Sequence, residues 1–155
     1  MSEEKKQTIC VYSSSSEALG KEYFEAAEAL GRALATEGFP VVYGGGGIGL
    51  MGAMARAIHE NGGTVTGVIP EALNRKGIAY EDADEMIVTK TMRERKQLME
   101  DKADAFIVLP GGFGTLEEFL EILTLKQLQY HSKPIVVLDV KRFYRHLLSM
   151  FEHIY

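Results

Sequence analysis

Cysteine is almost absent from this chain of 155 residues. The single thiol, Cys10, lies inside an apolar run and has no partner for an internal disulfide, and no Cys/His cluster has zinc spacing. A basic excess is missing too. The formal net charge is −5, which argues against a nucleic-acid partner, since such binding needs a basic face. It leaves room for a small phosphorylated ligand, because a local field can oppose the net charge. No apolar run reaches the length of a membrane span, so no membrane partner is expected. The first eight residues are polar and lack the apolar core of a signal peptide. The expected location is the cytoplasm. Residues 1–7 are expected to be disordered, and the length suits a single domain with one sheet and helices on both faces.

Glycine is plentiful, at 16 residues, and clustered. Two clusters follow short apolar runs. Thr8–Tyr12, Phe39–Tyr43, Thr64–Ile69, Glu85–Thr89, Ala105–Leu109 and Ile135–Leu138 read as strands. Between them, apolar residues at helical spacing predict helices over 17–37, 50–61, from Thr91, from Thr115 to about Tyr130, and over 142–155. In the first helix Tyr23, Ala26, Ala27, Leu30 and Leu34 form the buried stripe. In the last, Phe143, Leu147, Met150 and Ile154 share one side. Alternating strands and helices with near-continuous apolar strands predict a parallel sheet. Ligands in such folds bind beyond the carboxyl ends of the strands. The serines 13–16, both glycine turns, the polar stretch 71–84 and the Arg-rich turn all fall at such ends.

Each of these features has a bland and a chemical reading. The hydroxyls of Ser13–Ser16, Ser14 among them, can cap the first helix or bind an oxyanion. The turn Gly44–Gly52 fits the dinucleotide fingerprint almost automatically, because it has so many glycines, and no clear acidic residue ends the next strand. Gly49 and Gly52 read as close helix packing, whereas Gly45 and Gly46 can let backbone approach a ligand. The stretch 71–84 is either a lid or a surface connection. Thr91 and Glu94 form a capping box, yet Arg93, Arg95 and Lys96 place cations where the helix dipole disfavours them. An anionic ligand or a nearby carboxylate would account for that. The four histidines have no acid or thiol at a telling spacing.

The chain is organised around Pro110–Glu118, a strand–glycine–helix junction. Amides of Gly112, Phe113, Gly114 and Thr115 would hold a phosphate at a helix N-terminus, joined by the Thr115 hydroxyl. Thr115 and Glu118 also fit a capping box worth about 1 kcal/mol. A carboxylate about 4 Å from a bound phosphate would be repelled by roughly 4 kcal/mol at an effective dielectric near 20. So Glu118 points away from the phosphate, or cations such as Arg95 and Lys96 screen it. A carboxylate one sugar-length from a phosphate suits glycosidic chemistry, in which positive charge builds on the sugar ring. Arginine stays charged and can only position or stabilise. Glu121 lies one turn beyond Glu118 and could orient it or a water. Decarboxylation through a pyridoxal Schiff base would need a buried lysine, and no lysine sits in an apolar run.

Pro110-Gly-Gly-Phe-Gly-Thr-Leu-Glu-Glu118 resembles the PGGxGTxxE motif of the Lonely Guy proteins. Met92-Arg-Glu-Arg-Lys96 is similar to their M-x-x-R-K segment, and Gly44-Gly-Gly-Gly-Ile-Gly-Leu-Met-Gly52 to their GGGxxGLMG stretch. The three motifs stand in the family's order and the likeness spans residues 8 to about 140. It departs at Ser13-Ser14-Ser15, where the family has Gly-Ser-Ser, and most members have one more strand and helix after the point where Tyr155 stands. The resemblance implies a Rossmann-like, doubly wound, three-layer α/β/α domain that binds nucleotide. It implies a phosphoribohydrolase that releases the base from N6-modified AMP, or AMP itself, to leave ribose 5-phosphate. Arg95 and Glu118 would be the catalytic pair; Lys96, Gly112–Thr115, Glu117 and Thr124 would line the nucleotide site. No metal or redox cofactor is implied, and the partner is a second copy of the chain, with sites near the interface. The rival readings are a non-enzymatic nucleotide or cofactor carrier on the same fold, as in molybdenum cofactor carriers, and an NAD oxidoreductase, which lacks a ribose acid and a hydride site.

Overall fold

The computed structural model describes residues 4–155. Six short strands, β1 (Ile9–Tyr12), β2 (Val41–Tyr43), β3 (Val65–Pro70), β4 (Glu85–Thr89), β5 (Ala105–Val108) and β6 (Ile135–Val137), form one sheet in the order β4-β3-β2-β1-β5-β6. All five ladders are parallel. Apolar residues fill both faces of the inner strands, as a sheet covered on both sides requires. The five helices are α1 (Lys21–Thr36), α2 (Gly49–Glu60), α3 (Met92–Lys102), α4 (Phe113–Gln127) and α5 (Arg145–Ile154).

Strand alternation sorts the core into two halves. Ile9, Val11, Val41 and Tyr43 point one way and pack with Ala27 and Leu34 of α1 and with Leu50, Met54 and Ile58 of α2. Cys10, Tyr12, Val42 and Phe106 point the other way, toward Met99 of α3, Phe119 and Ile122 of α4 and Leu147 of α5. The result is the expected three-layer α/β/α arrangement. Strand order reverses between β1 and β5, and there the segments after both strands come together: the Ser14 N–H donates to the Pro110 carbonyl at 3.1 Å. This switch point is where open parallel sheets form their ligand crevice.

Four local expectations change. α1 starts at Lys21 with Gly20 at its N-cap, not at Glu17, and no side chain caps it. The serine hydroxyls are used in turns instead: Ser14 Oγ accepts the Ser16 N–H at 3.0 Å and Ser16 Oγ accepts the Ala18 N–H at 3.1 Å. α4 begins at Phe113, so Thr115 lies inside the helix and the Thr115–Glu118 capping box does not form. At α3 half of the box forms. Thr91 accepts the Glu94 N–H at 3.1 Å, while the Glu94 carboxylate takes the Lys90 N–H at 2.8 Å. α5 packs through Leu147, Leu148 and Phe151, leaving Met150 and Ile154 exposed.

Residues 71–84 are not free. Gly47 N–H donates to the Ile78 carbonyl and Tyr80 N–H to the Gly45 carbonyl, both at 2.8 Å, so the segment is stitched to the first glycine turn. Beyond the turn, His59 bridges Tyr80 and Asp84, its ring nitrogens 2.7 Å from the Tyr80 hydroxyl and 2.7 Å from the Asp84 carboxylate. That bond, first among several causes, holds the Asp84 carboxyl below its ordinary range. The acid partner that sequence spacing does not reveal is 25 residues away. Of the expected N-terminal tail, Met1–Glu3 lie outside the described residues, and Lys6 donates to the Glu37 carbonyl at 3.0 Å. Among the described residues no helix is long and apolar enough to cross a membrane.

Candidate active site

A cleft of about 470 Å³ opens at the switch point. Small-molecule sites typically span about 300–1,000 Å³. Its polar wall comes from Ser13–Ser16 after β1, from Arg95 of α3, and from Gly112–Thr115 and Glu118 of α4. Its apolar wall comes from Ile48, Met51, Ile69, Leu73, Ile78 and Met92. The stitched segment supplies Leu73 and Ile78, so it is a fixed wall of the cleft.

The first turn of α4 is the part of the wall suited to an anion. Its N-cap is Gly112, and no side chain caps it. The first amides of a helix have no intrahelical acceptor and carry the positive end of the dipole. Beside them, Ser13 Oγ is buried with no hydrogen-bond partner. A buried hydroxyl left unpaired is unfavourable, and this one sits in the wall of the cleft.

Arg95 is 6% exposed. Its Nε donates to the Val68 carbonyl at 2.9 Å and its Nη2 to the Gly44 carbonyl at 2.6 Å, so it ties together the ends of β3 and β2. Gly44 makes this possible: a Cβ there would overlap the Arg95 guanidinium. Burial lowers the Arg95 pKa and Glu118 opposes the shift; arginine nonetheless remains a cation. Glu118 is 8% exposed. Burial pushes its carboxyl up to about 7, with Arg95 pulling it back and Glu117 adding to the rise. An acid near the working pH can both give and take a proton.

The expected site residues divide between the cleft and its back. Arg95, Glu118, Ser14, Gly46 and Gly112–Thr115 line it. Gly45, Lys96, Glu117, Glu121 and Thr124 do not. A Cβ on Gly45 would meet Met86 and Ile69, so this glycine packs behind the turn. Thr124 Oγ1 donates to the Leu120 carbonyl at 2.6 Å on the exposed side of α4. Lys96 Nζ is held at 2.7 Å by Glu117 and 2.8 Å by Glu121. Sequence reasoning chose Ser14 rather than Ser13 among the serines and gave no role to Gly44 or the apolar wall, although Gly44, Ile48 and Met51 lie in the GGGxxGLMG stretch and Met92 in the M-x-x-R-K segment.

The family model described as "possible lysine decarboxylase" matches residues 51–155. A cytokinin riboside 5'-monophosphate phosphoribohydrolase of Oryza sativa subsp. japonica is 46% identical over 93% of this chain and 60% of its own length. The protein of that name from Rhodococcoides fascians is 44% identical over 95% of this chain and 75% of its own. The one from Mycobacterium marinum is 52% identical over 76% and 63%. The chain belongs to the Lonely Guy family. It spans 60–75% of the length of these three relatives. Among solved structures, the molybdenum cofactor carrier protein of Chlamydomonas reinhardtii superposes with a TM-score of 0.71 at 25% identity, covering 92% of this chain and 85% of its own.

Within this Lonely Guy chain the decarboxylase description meets a physical obstacle. Lys96 is the buried lysine that sequence reasoning did not find, at 9% exposure. The hydrogen bond it donates to Glu117, then that to Glu121, raises its pKa. An ammonium held between two carboxylates is not a free amine for a Schiff base. Among the described residues no group of three His, Cys, Asp or Glu side chains converges as a metal site.

Proposed function

We propose that this chain hydrolyses the N-glycosidic bond of purine 5'-nucleotides, N6-modified AMP and AMP among them, to free base and ribose 5-phosphate. The observation that carries the reading is Glu118, a buried carboxyl with a pKa of about 7 in the wall of a nucleotide-sized cleft, close to an uncapped helix N-terminus. In this reading the amides of Gly112–Thr115 and the Ser13 hydroxyl hold the 5'-phosphate. The apolar wall takes the base. Ionised Glu118 stabilises the positive charge on the ribose as the C–N bond breaks and removes a proton from the water that attacks the anomeric carbon. The departing base nitrogen takes a proton from solvent, and Glu118 returns its proton to solvent to complete the turnover. Arg95 fixes the charge balance, holding Glu118 ionised when the phosphate arrives. The names of the curated relatives support the same reaction.

The protein works as a homodimer in the cytoplasm, where charged nucleotides are retained. Phe113, 92% exposed at the cleft mouth, and Met92, also exposed, support a neighbouring subunit there. Light scattering checks the mass.

Chromatography of products from a panel of nucleoside monophosphates, with dephosphorylated controls, tests the reaction. Base and ribose 5-phosphate should appear from the monophosphates and far more slowly from nucleosides. Equal rates with nucleosides would overturn the phosphate cradle. The likeness to a cofactor carrier favours a second reading, ligand transport without chemistry; it predicts that bound nucleotide is recovered intact.

A further inference from the structure

Lys96 and its two carboxylates lie outside the cleft, yet Lys96 and Glu117 each adjoin a cleft residue in the chain. Lys96 follows Arg95 on α3, and Glu117 precedes Glu118 on α4. Glu117 and Glu121 are four residues apart, so they share one face of α4. The ammonium sits between them, 2.7 and 2.8 Å away, and crosses the seam between the two helices. The Lys96 side chain is 10% exposed, against 59% and 40% for the glutamates. An exposed single ion pair contributes little; a buried ammonium with both partners in place is a satisfied group whose loss is felt.

The charges around Glu118 are specific. α4 carries Glu117 and Glu121, and α3 carries Arg95 and Lys96. From β1, Cys10 and Tyr12 face the same space, and burial keeps both neutral. The Lys96 cluster sums to −1, from one cation and two carboxylates. Of the two cations, Arg95 lowers the Glu118 carboxyl more and Lys96 less, while Glu117 and Glu121 raise it.

We infer that Lys96, clamped between Glu117 and Glu121, is a positioning residue that holds the α3–α4 seam in register and sets the electrostatic field at Glu118. The inference rests on the reading of Glu118 as the reacting carboxylate. Charge-specific variants test it. Lys96→Gln changes the cluster to −2, Glu121→Gln to 0, and the double variant restores −1. The Glu118 carboxyl is followed by NMR titration of 13C-glutamate-labelled protein, its signal assigned by its loss in Glu118→Gln, and base release is followed across pH. Lys96→Gln should move the midpoint up and Glu121→Gln should move it down, each by roughly half a pH unit, with the double variant between them. Lys96→Arg should stay near the parent.

Should Lys96→Gln fail to fold, the Glu121→Gln shift alone decides. Midpoints that stay put, or that move the same way in folded single variants, would overturn the clamp's electrostatic role. Opposed NMR shifts without base release from any nucleotide would support the clamp and count against the hydrolase reading. Base release with unmoved midpoints would do the reverse.

Discussion

At the head of α2 the Glu17 carboxylate accepts the Gly49 N–H at 2.7 Å, and the Met51 N–H donates to the Ser14 carbonyl at 3.2 Å. At the head of α4 no side chain accepts from the first turn. Both heads follow a strand and a glycine run. One already holds an anion from its own chain, and the other has first-turn amides that no side chain of its own chain accepts from. The glycines differ to match. Gly49 has a φ of +63°, and a Cβ would strike the backbone of Ser15 and Ser16. Gly112 and Gly114 have open space where a Cβ would stand. Glycine at the closed head serves packing, and at the open head it serves access. This also disposes of the dinucleotide reading, since the amide a pyrophosphate would need at α2 is taken by Glu17.

The strongest test of the contrast is chemical. Glu118→Gln should cut base release by roughly 10²–10⁴-fold, measured by product chromatography, while circular dichroism stays native. A fully active variant would remove the open head's claim to chemistry. Next comes Gly49→Ala, which combines a left-handed backbone with a clash and should cost about 2–4 kcal/mol in urea unfolding. Gly112→Ala should stay within about 0.5 kcal/mol of the parent yet raise KM for monophosphates. If the two alanines destabilise equally, the division between packing and access is wrong.

A third expectation concerns pH. The folded Glu118 carboxyl, at about 7, lies above its ordinary 4.5. Below pH 4.5 both folded and unfolded forms hold the proton, and the group imposes no penalty. Between pH 4.5 and 7 the unfolded chain has released its proton and the folded chain has not, so stability falls as pH rises across that window and levels off above it. Glu118→Gln should therefore match the parent near pH 4 and exceed it by up to about 3 kcal/mol above pH 8. Parallel stability curves would refute the burial argument. The smallest effect is at the closed head: Glu17→Ala should cost about 1 kcal/mol in the same unfolding assay and leave base release nearly unchanged.

The sheet was legible because each strand is a local apolar run, and the α4 junction was legible because strand, glycines and helix are consecutive. The start of α1 was not, since its N-cap is Gly20 and the polar residues before it bond elsewhere. Arg95 and Glu118 were found through motifs, but what holds them was hidden. Gly44 and Arg95 are 51 residues apart, and Lys96 and Glu117 are 21 apart. Local periodicity cannot express such pairings, because only the crossover topology brings them together. The same holds for His59 and Asp84.

Arg95 carries one more consequence. Its side chain is pinned at two nitrogens to carbonyls of adjacent strand ends. A free arginine carries about 2 kcal/mol of rotamer entropy, and ordering such a side chain on binding normally subtracts from affinity. Here folding has already removed that freedom. A nucleotide bound in the cleft, as proposed, would therefore meet a stationary cation, and the calorimetric entropy of its binding should contain little contribution from this side chain.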